Sequence, residues 1–436
     1  MPDATEQRRL IKRFLRSDFA RHGAIVFASS MTVNALNYVF HVLMTRRLGV
    51  DSYGELYALL STLILFSVPT SVLTMVVVRY AAEFRAVEDH ARLGALAAWL
   101  LRRTTLVAAV VILAGFVLQM PVAGYLHLTD SREVVVTAAV LALSFMGPTV
   151  RGILQGIEAF PQFAASTLIE GFGRVLLGVG LAYAGMGVTG ALLGQAFAMA
   201  LGLAYTWFAL RRRLPHVDGP LHVDLRRLVQ TTAGITTAML GLSILSSADL
   251  LLVKHYFSPY DAGLYSAVSL VGKVLFFTVG FIPTVVLPKA TARVSRGESP
   301  ISVLVQAAVA ICGLCVVGLG VLYFVPAFAV RVMSGTAFLA AAPYVFTYGI
   351  AMAMLGAVTV VVNYKIGLHR FDFLAPLLVV TAAEVGTICL LHANLWVVVR
   401  VVAAGNVLAL ATCLYRVTSS AAVRPHPGTP QPYAPT

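Results

Sequence analysis

Residues 41–61 read HVLMTRRLGVDSYGELYALLS, and residues 249–269 read DLLLVKHYFSPYDAGLYSAVS. Set one under the other without gaps, Leu43 meets Leu251, the pair Leu56-Tyr57 meets Leu264-Tyr265, and Ser61 meets Ser269. Arg46 falls on Lys254, and His41 falls on Asp249. Both stretches run in the same order: an apolar helix, a basic end, a short turn, then a Leu-Tyr pair opening the next apolar helix. That order predicts two similar halves facing one another, the plan of transporters that bind their cargo between lobes.

Composition fixes the class. The chain has 436 residues, of which 59% are hydrophobic and only 12% charged, and its mean hydropathy is +0.85. Too few charges are present to cover the surfaces of the two or three soluble domains this length would otherwise form. Apolar runs approaching the roughly 20 residues that a membrane-crossing helix needs recur along the whole sequence. The fold class expected is therefore an all-α polytopic membrane protein with about 12 transmembrane helices in two pseudo-symmetric six-helix lobes.

The spans are expected near 23–45, 57–78, 104–126, 134–154, 164–184, 187–210, 232–256, 264–287, 302–324, 340–363, 373–392 and 395–416. Residues 1–22 read as a basic amphipathic cytoplasmic lead-in, 23–215 as the first lobe, 216–416 as the second and 417–436 as a disordered tail. The basic loop RRRLPHVDGPLHVDLRR (211–227) joins the halves. The first apolar run is longer than 20 residues and lacks a small-residue cleavage pattern, so it is expected to remain as a span. No connection is long enough to fold as a catalytic head, which argues against an enzyme.

Lysines and arginines orient the bundle. With the N-terminus cytoplasmic, 24 of the 32 basic residues fall on the cytoplasmic face, five on the other, and Arg174, Lys273 and Arg400 inside or at the edge of spans. Both termini are then cytoplasmic. The net charge of +13 reflects topology and contact with anionic lipid rather than a nucleic-acid partner. The four cysteines, Cys312, Cys315, Cys389 and Cys413, all lie in spans and read as small buried hydrophobes. No phosphate-binding loop, HExxH or GxSxG is present, and no metal or organic cofactor is expected.

Polar residues inside the spans are the candidates for function. Ser30, Asn34, Asn37, His41 and Thr45 fall on one face of the first span, either bonding to neighbouring helices or lining a wet cavity. Span eight carries Ser266, Ser269 and Lys273 at spacings of 3 and 4. A lysine that far inside a membrane helix is costly without water or a partner, so Lys273 ranks first as a contact for an anionic substrate group. Arg174 ranks next, although Glu170, four residues earlier, could neutralise it. Asp249 could pair with Lys273, and Glu384 with Arg400. Asp249, Glu384 and Glu170 are the candidates for H⁺ or Na⁺ coupling, since a desolvated carboxylate can titrate near neutral pH.

Three stretches resemble one family. TRRLGVDSYGELYALLS (45–61) looks like the first loop of the oligosaccharide flippases, the Wzx-type polysaccharide transporters of the multidrug/oligosaccharidyl-lipid/polysaccharide superfamily. RGILQGIEAFPQF (151–163) resembles their fourth loop, and SADLLLVKHYFSPYDAGLYSAVSLVGKVLFF (247–277) the start of their second half. The resemblance covers roughly residues 23–416. It implies a polyprenyl-pyrophosphate-linked oligosaccharide moved from the cytoplasmic to the outer leaflet of a bacterial inner membrane, and polysaccharide polymerases or glycosyltransferases as partners. The pyrophosphate would meet Lys273 and Arg174; Asn34, Asn37, His41 and Ser269 would line the sugar space. A cation-coupled multidrug or metabolite exporter of the same superfamily is the alternative. Interior acids and bases are equal in number here, so charge does not separate the two.

Overall fold

A computed structural model describes residues 18–214, 225–280, 282, 283, 286, 290, 293, 301–368 and 370–415. The amphipathic lead-in expected over 1–22 and the tail expected over 417–436 lie outside the described residues, apart from the backbone of 18–22.

Every described element is helical. In chain order they are α1 (Asp18–Ala86), α2 (His90–Val117), the short α3 (Gln119–Tyr125), α4 (Arg132–Gly156) and α5 (Phe160–Gly173), which continues through two π-turns to Met186. Then follow α6 (Gly187–Arg211), α7 (Leu225–Tyr256), α8 (Pro259–Val279), α9 (Ile301–Phe324), the short α10 (Pro326–Met333), a 3₁₀ turn (Thr336–Ala341), α11 (Ala342–Gly367), α12 (Leu374–Leu390) and α13 (Leu395–Leu414).

α1 is two crossings rather than one. Gly49 has φ of 75° and ψ of −175°, a conformation without cost only for glycine. In an unbroken helix residues 41 and 57 would stand about 24 Å apart. Their rings are 5.3 Å apart, so the chain doubles back at Gly49. A second reversal sits at Gly185 and Gly187, with φ of 100° and 54°. Counting both arms of α1 and both sides of that reversal, the described residues make twelve crossings, one for each expected span. α12 is the shortest of them, at 17 residues.

Six crossings lie before residue 215 and six after residue 224. Turns after odd-numbered crossings gather at one end of the bundle, called here the distal end. Asp18 and Tyr415 lie at the opposite, proximal end. The first half is knitted by α1 against α4 and by α4 against α2 and α6. Small residues set the spacing: a Cβ on Gly194 would collide with the backbone of Gly178, and one on Gly156 with Ala81 and Val78, as membrane helices pack when backbones approach closely. In the second half α11 is the central post, packed against α8, α9 and α13, with Tyr348, Met352, Leu355 and Val358 fully buried. The two arms of α1 then rest on α7 and α8 and join the halves.

Candidate functional site

The buried polar residues collect along the seam where α1 meets α5, α7 and α8. Arg174 enters from α5 at the point where the helix widens into its first π-turn, Arg174–Gly178; such turns are frequent at functional sites. Its Nη1 donates to Asn37 Oδ1 at 2.6 Å, and its guanidinium stacks on Phe40 at 4.2 Å from the ring centre, a stabilising cation–π geometry. Its Nε is buried without a partner among the described residues.

The helical spacing of Glu170 and Arg174 allows an ion pair, yet the structure does not form one. Register changes at Arg174 and the two side chains part. Glu170 Oε2 accepts instead from Arg151 Nη2 at 2.7 Å. Arg151, assigned to a loop by its sequence context, is in fact buried in α4. A lone arginine near a span end reads as a topology signal, and only the crossing of α4 with α5 reveals its partner.

Lys273 comes from α8 and is 5% exposed. Its Nζ lies 5.6 Å from the centre of the Tyr57 ring and has no hydrogen-bond partner among the described residues. The expected pair with Asp249 is not formed within ion-pair distance. Asp249 Oδ2 accepts from Tyr265 at 2.7 Å and from Tyr348 at 3.0 Å, so two phenols take the place the lysine was expected to fill. Ser269 bonds to Tyr348 at 3.1 Å. His41 lies between the halves: its Nδ1 is 3.2 Å from the Tyr53 hydroxyl, and Arg174 and Lys273 both act on it electrostatically. His41 beside Tyr57 repeats, at a spacing of 208 residues, Asp249 beside Tyr265.

Glu384 is buried in α12, and a Cβ on Gly405 of α13 would overlap its carboxylate. It does not pair with Arg400. That arginine is exposed and lies 5.6 Å from the Trp396 ring centre, turned away by its position on α13. Asp249 Oδ1, Glu384 Oε2 and Asn406 Oδ1 are buried oxygens without hydrogen-bond partners among the described residues. No group of three or more His, Cys, Asp or Glu side chains able to hold a metal occurs among the described residues.

The polar face of the first crossing divides. Ser30 and Asn34, towards the proximal end, are exposed; Asn37 and His41 are half-buried; Thr45 is buried. The seam is sealed towards the distal end, where Gly54 meets the backbone of Gly263, Tyr53 packs edge-on against Phe338 at 5.8 Å, and Arg46 donates to the Val332 carbonyl at 3.3 Å. Lobe-to-lobe contact deeper in the bundle reaches Tyr38 against Phe277 and Ser243 against the Ile64 carbonyl. Beyond them, Ser67 and Ser71 of α1 are exposed.

Sequence reasoning missed one further cluster. Lys254 of α7 is 1% exposed and lies 3.6 Å from Glu55 Oε1 of α1. An apolar span ending in lysine, with an acid opening another span, was the signal available for it.

The profile of the polysaccharide biosynthesis protein family matches residues 19–292, more than half of the chain. No curated protein sequence matches it. Among solved structures, a multidrug resistance MATE family transporter of the MOP superfamily in its inward-facing conformation superposes with a TM-score of 0.74 at 12% identity, over 90% of this chain and 96% of that one. The lipid II flippase MurJ, in an inward closed conformation, gives 0.70 at 12% identity over 91% and 88%. An outward-facing conformation of a MATE family transporter of the MOP superfamily gives 0.54 at 14% identity over 92% and 96%. The fold is that of the MOP superfamily, and the chain, a multi-pass membrane protein, belongs to the polysaccharide biosynthesis protein family.

Proposed function

We propose that this protein moves a lipid-linked oligosaccharide with an anionic, pyrophosphate-type head across the membrane by alternating access. One observation carries the proposal. Two cations, the half-buried Arg174 from the first half and the buried Lys273 from the second, flank His41 at the seam, and each keeps a buried N–H without a partner among the described residues. Buried charges are ordinarily paired. An anion bridging the halves would supply the missing acceptors with charge-assisted hydrogen bonds in a low-dielectric setting. Asn34 and Asn37 offer hydrogen bonds to the sugars, whereas Ser269, fully buried and bonded to Tyr348, does not reach them, and the exposed proximal polar surface of α1 offers the way in. A sealed distal seam, together with the higher similarity to inward-facing than outward-facing relatives, supports a cytoplasm-facing state with the proximal end inside.

Asp249 and Glu384 act on each other electrostatically in the second half. With the free oxygens around them they are the proposed site of H⁺ or Na⁺ coupling. The same carboxylates support the second reading, a cation-coupled drug exporter, as does the MATE-like fold.

Reconstitution distinguishes the two. Purified protein in liposomes holding a fluorescent polyprenyl-pyrophosphate oligosaccharide is expected to exchange label between leaflets, scored with a membrane-impermeant quencher. Lys273→Ala is expected to slow exchange at least 10-fold, a loss of about 1.4 kcal/mol or more of cargo stabilisation. Absence of exchange under every ion gradient, with efflux of a cationic dye, would establish the exporter instead.

A further inference from the structure

The charge cluster at the distal end of the seam takes no part in holding the cargo as proposed above. Lys254 Nζ, on the second half, is 3.6 Å from Glu55 Oε1 on the first, and both side chains are almost fully buried. Thr129, from the turn between α3 and α4, donates to the same Oε1 at 2.8 Å. Glu133, in the first turn of α4, is 4% exposed; its Oε2 has no partner among the described residues. Glu133 lies in the field of both Glu55 and Lys254, and Asp51 also acts on Lys254. One ammonium from the second half therefore serves a group of carboxylates from the first.

The surroundings are those of a closed joint. Gly54 and Gly263 bring the backbones together beside the cluster. His255, next to Lys254, donates through Nδ1 to the Tyr125 carbonyl at 2.7 Å and stacks on the Tyr125 ring at 3.9 Å, again across the halves. A buried ion pair adds little net stability to the closed form, because desolvation offsets most of the attraction. It has another property: when the halves part, water reaches all of these charges at once. Closed and open forms then differ by little free energy, as a two-state gate requires.

We infer that Lys254, Glu55 and Glu133 form a charge latch that sets the balance between the closed and open distal ends. Glu55 and Lys254 are positioning residues of the transport cycle. The latch rests on the alternating-access reading above but not on the identity of the cargo.

The test uses the full chain with its four cysteines replaced by serine, spin-labelled at Arg132→Cys and Tyr260→Cys, both exposed positions on opposite halves at the distal end. Distances are measured by pulsed electron resonance in lipid nanodiscs without cargo. The parent protein is expected to give one short distance. Glu55→Gln and Lys254→Met are each expected to populate a longer distance at least 3-fold more, and the double variant to go no further than either single. Thr129→Val, which removes only the hydroxyl donated to Glu55, is expected to shift the balance the same way by less. It decides the matter if a charge variant does not yield monodisperse protein. Unchanged distances, or shifts in the double variant that simply add, overturn the latch. A shift in a protein that fails the glycan assay removes the cargo reading alone.

Discussion

At the scale of single residues, the bundle holds two kinds of intramembrane charge that respond oppositely to removal. Arg151 and Glu170 satisfy one another at 2.7 Å. Removing one partner leaves the other stranded, at a cost of about 3–5 kcal/mol. Arg151→Ala is therefore expected to lower the thermal midpoint in detergent sharply, and Arg151→Ala with Glu170→Leu to recover much of it; equal midpoints for the single and double variants would count against the pair. Lys273 has no such partner among the described residues. Lys273→Met is expected to raise the midpoint by a few degrees while slowing exchange of the glycan carrier, the trade of stability for function that a cargo-binding charge imposes. A lowered midpoint would assign Lys273 to structure. Spacing along the chain made Lys273 and Arg174 visible, because a cation inside an apolar helix stands out. It could not choose their neighbours: Arg174 took Asn37, which lies 137 positions away, over Glu170, four positions away.

At the scale of elements, glycine decides where the helices turn and where they touch. Gly49 and Gly185 reverse the chain through positive φ; the polar stretch TRRLGVDSYGE marks the first corner, while the second, AGMGV at 184–188, carries no polar side chain. The crossings that meet there were still countable, because apolar length is a sequence property. Their boundaries are less legible: α2 begins at His90, while the apolar run begins only at 104, since Arg102 and Arg103 interrupt hydropathy without interrupting the helix. Close approach gives two further predictions. Gly194→Ala drives a Cβ into the backbone of Gly178, and overpacking of this kind costs about 1–3 kcal/mol, read as a lower thermal midpoint. Gly263→Ala drives a Cβ into the Val50 carbonyl across the halves. It is expected to lengthen the distal distance between labels at 132 and 260, as the latch variants do; an unmoved distance would mean that the seam yields elsewhere.

At the scale of the whole molecule, twelve crossings in two halves place Asp18 and Tyr415 at one end of the bundle and the sealed part of the seam at the other. A cysteine at 132 is expected to react with a membrane-impermeant thiol reagent added outside whole cells, and one at 90 only after permeabilisation; the reverse pattern would invert the bundle. The membrane class, the number of crossings, the repeat at 208 residues and the cations worth attention are all legible along the chain, because hydropathy, length and charge are linear properties and bilayer thickness converts them directly into helices. The tertiary structure alone decided who pairs with whom. Glu170 with Arg151, Asp249 with Tyr265 and Tyr348, and Lys254 with Glu55 are joined by helix crossings, and a crossing depends on backbone approach between segments far apart in sequence, which no local pattern encodes.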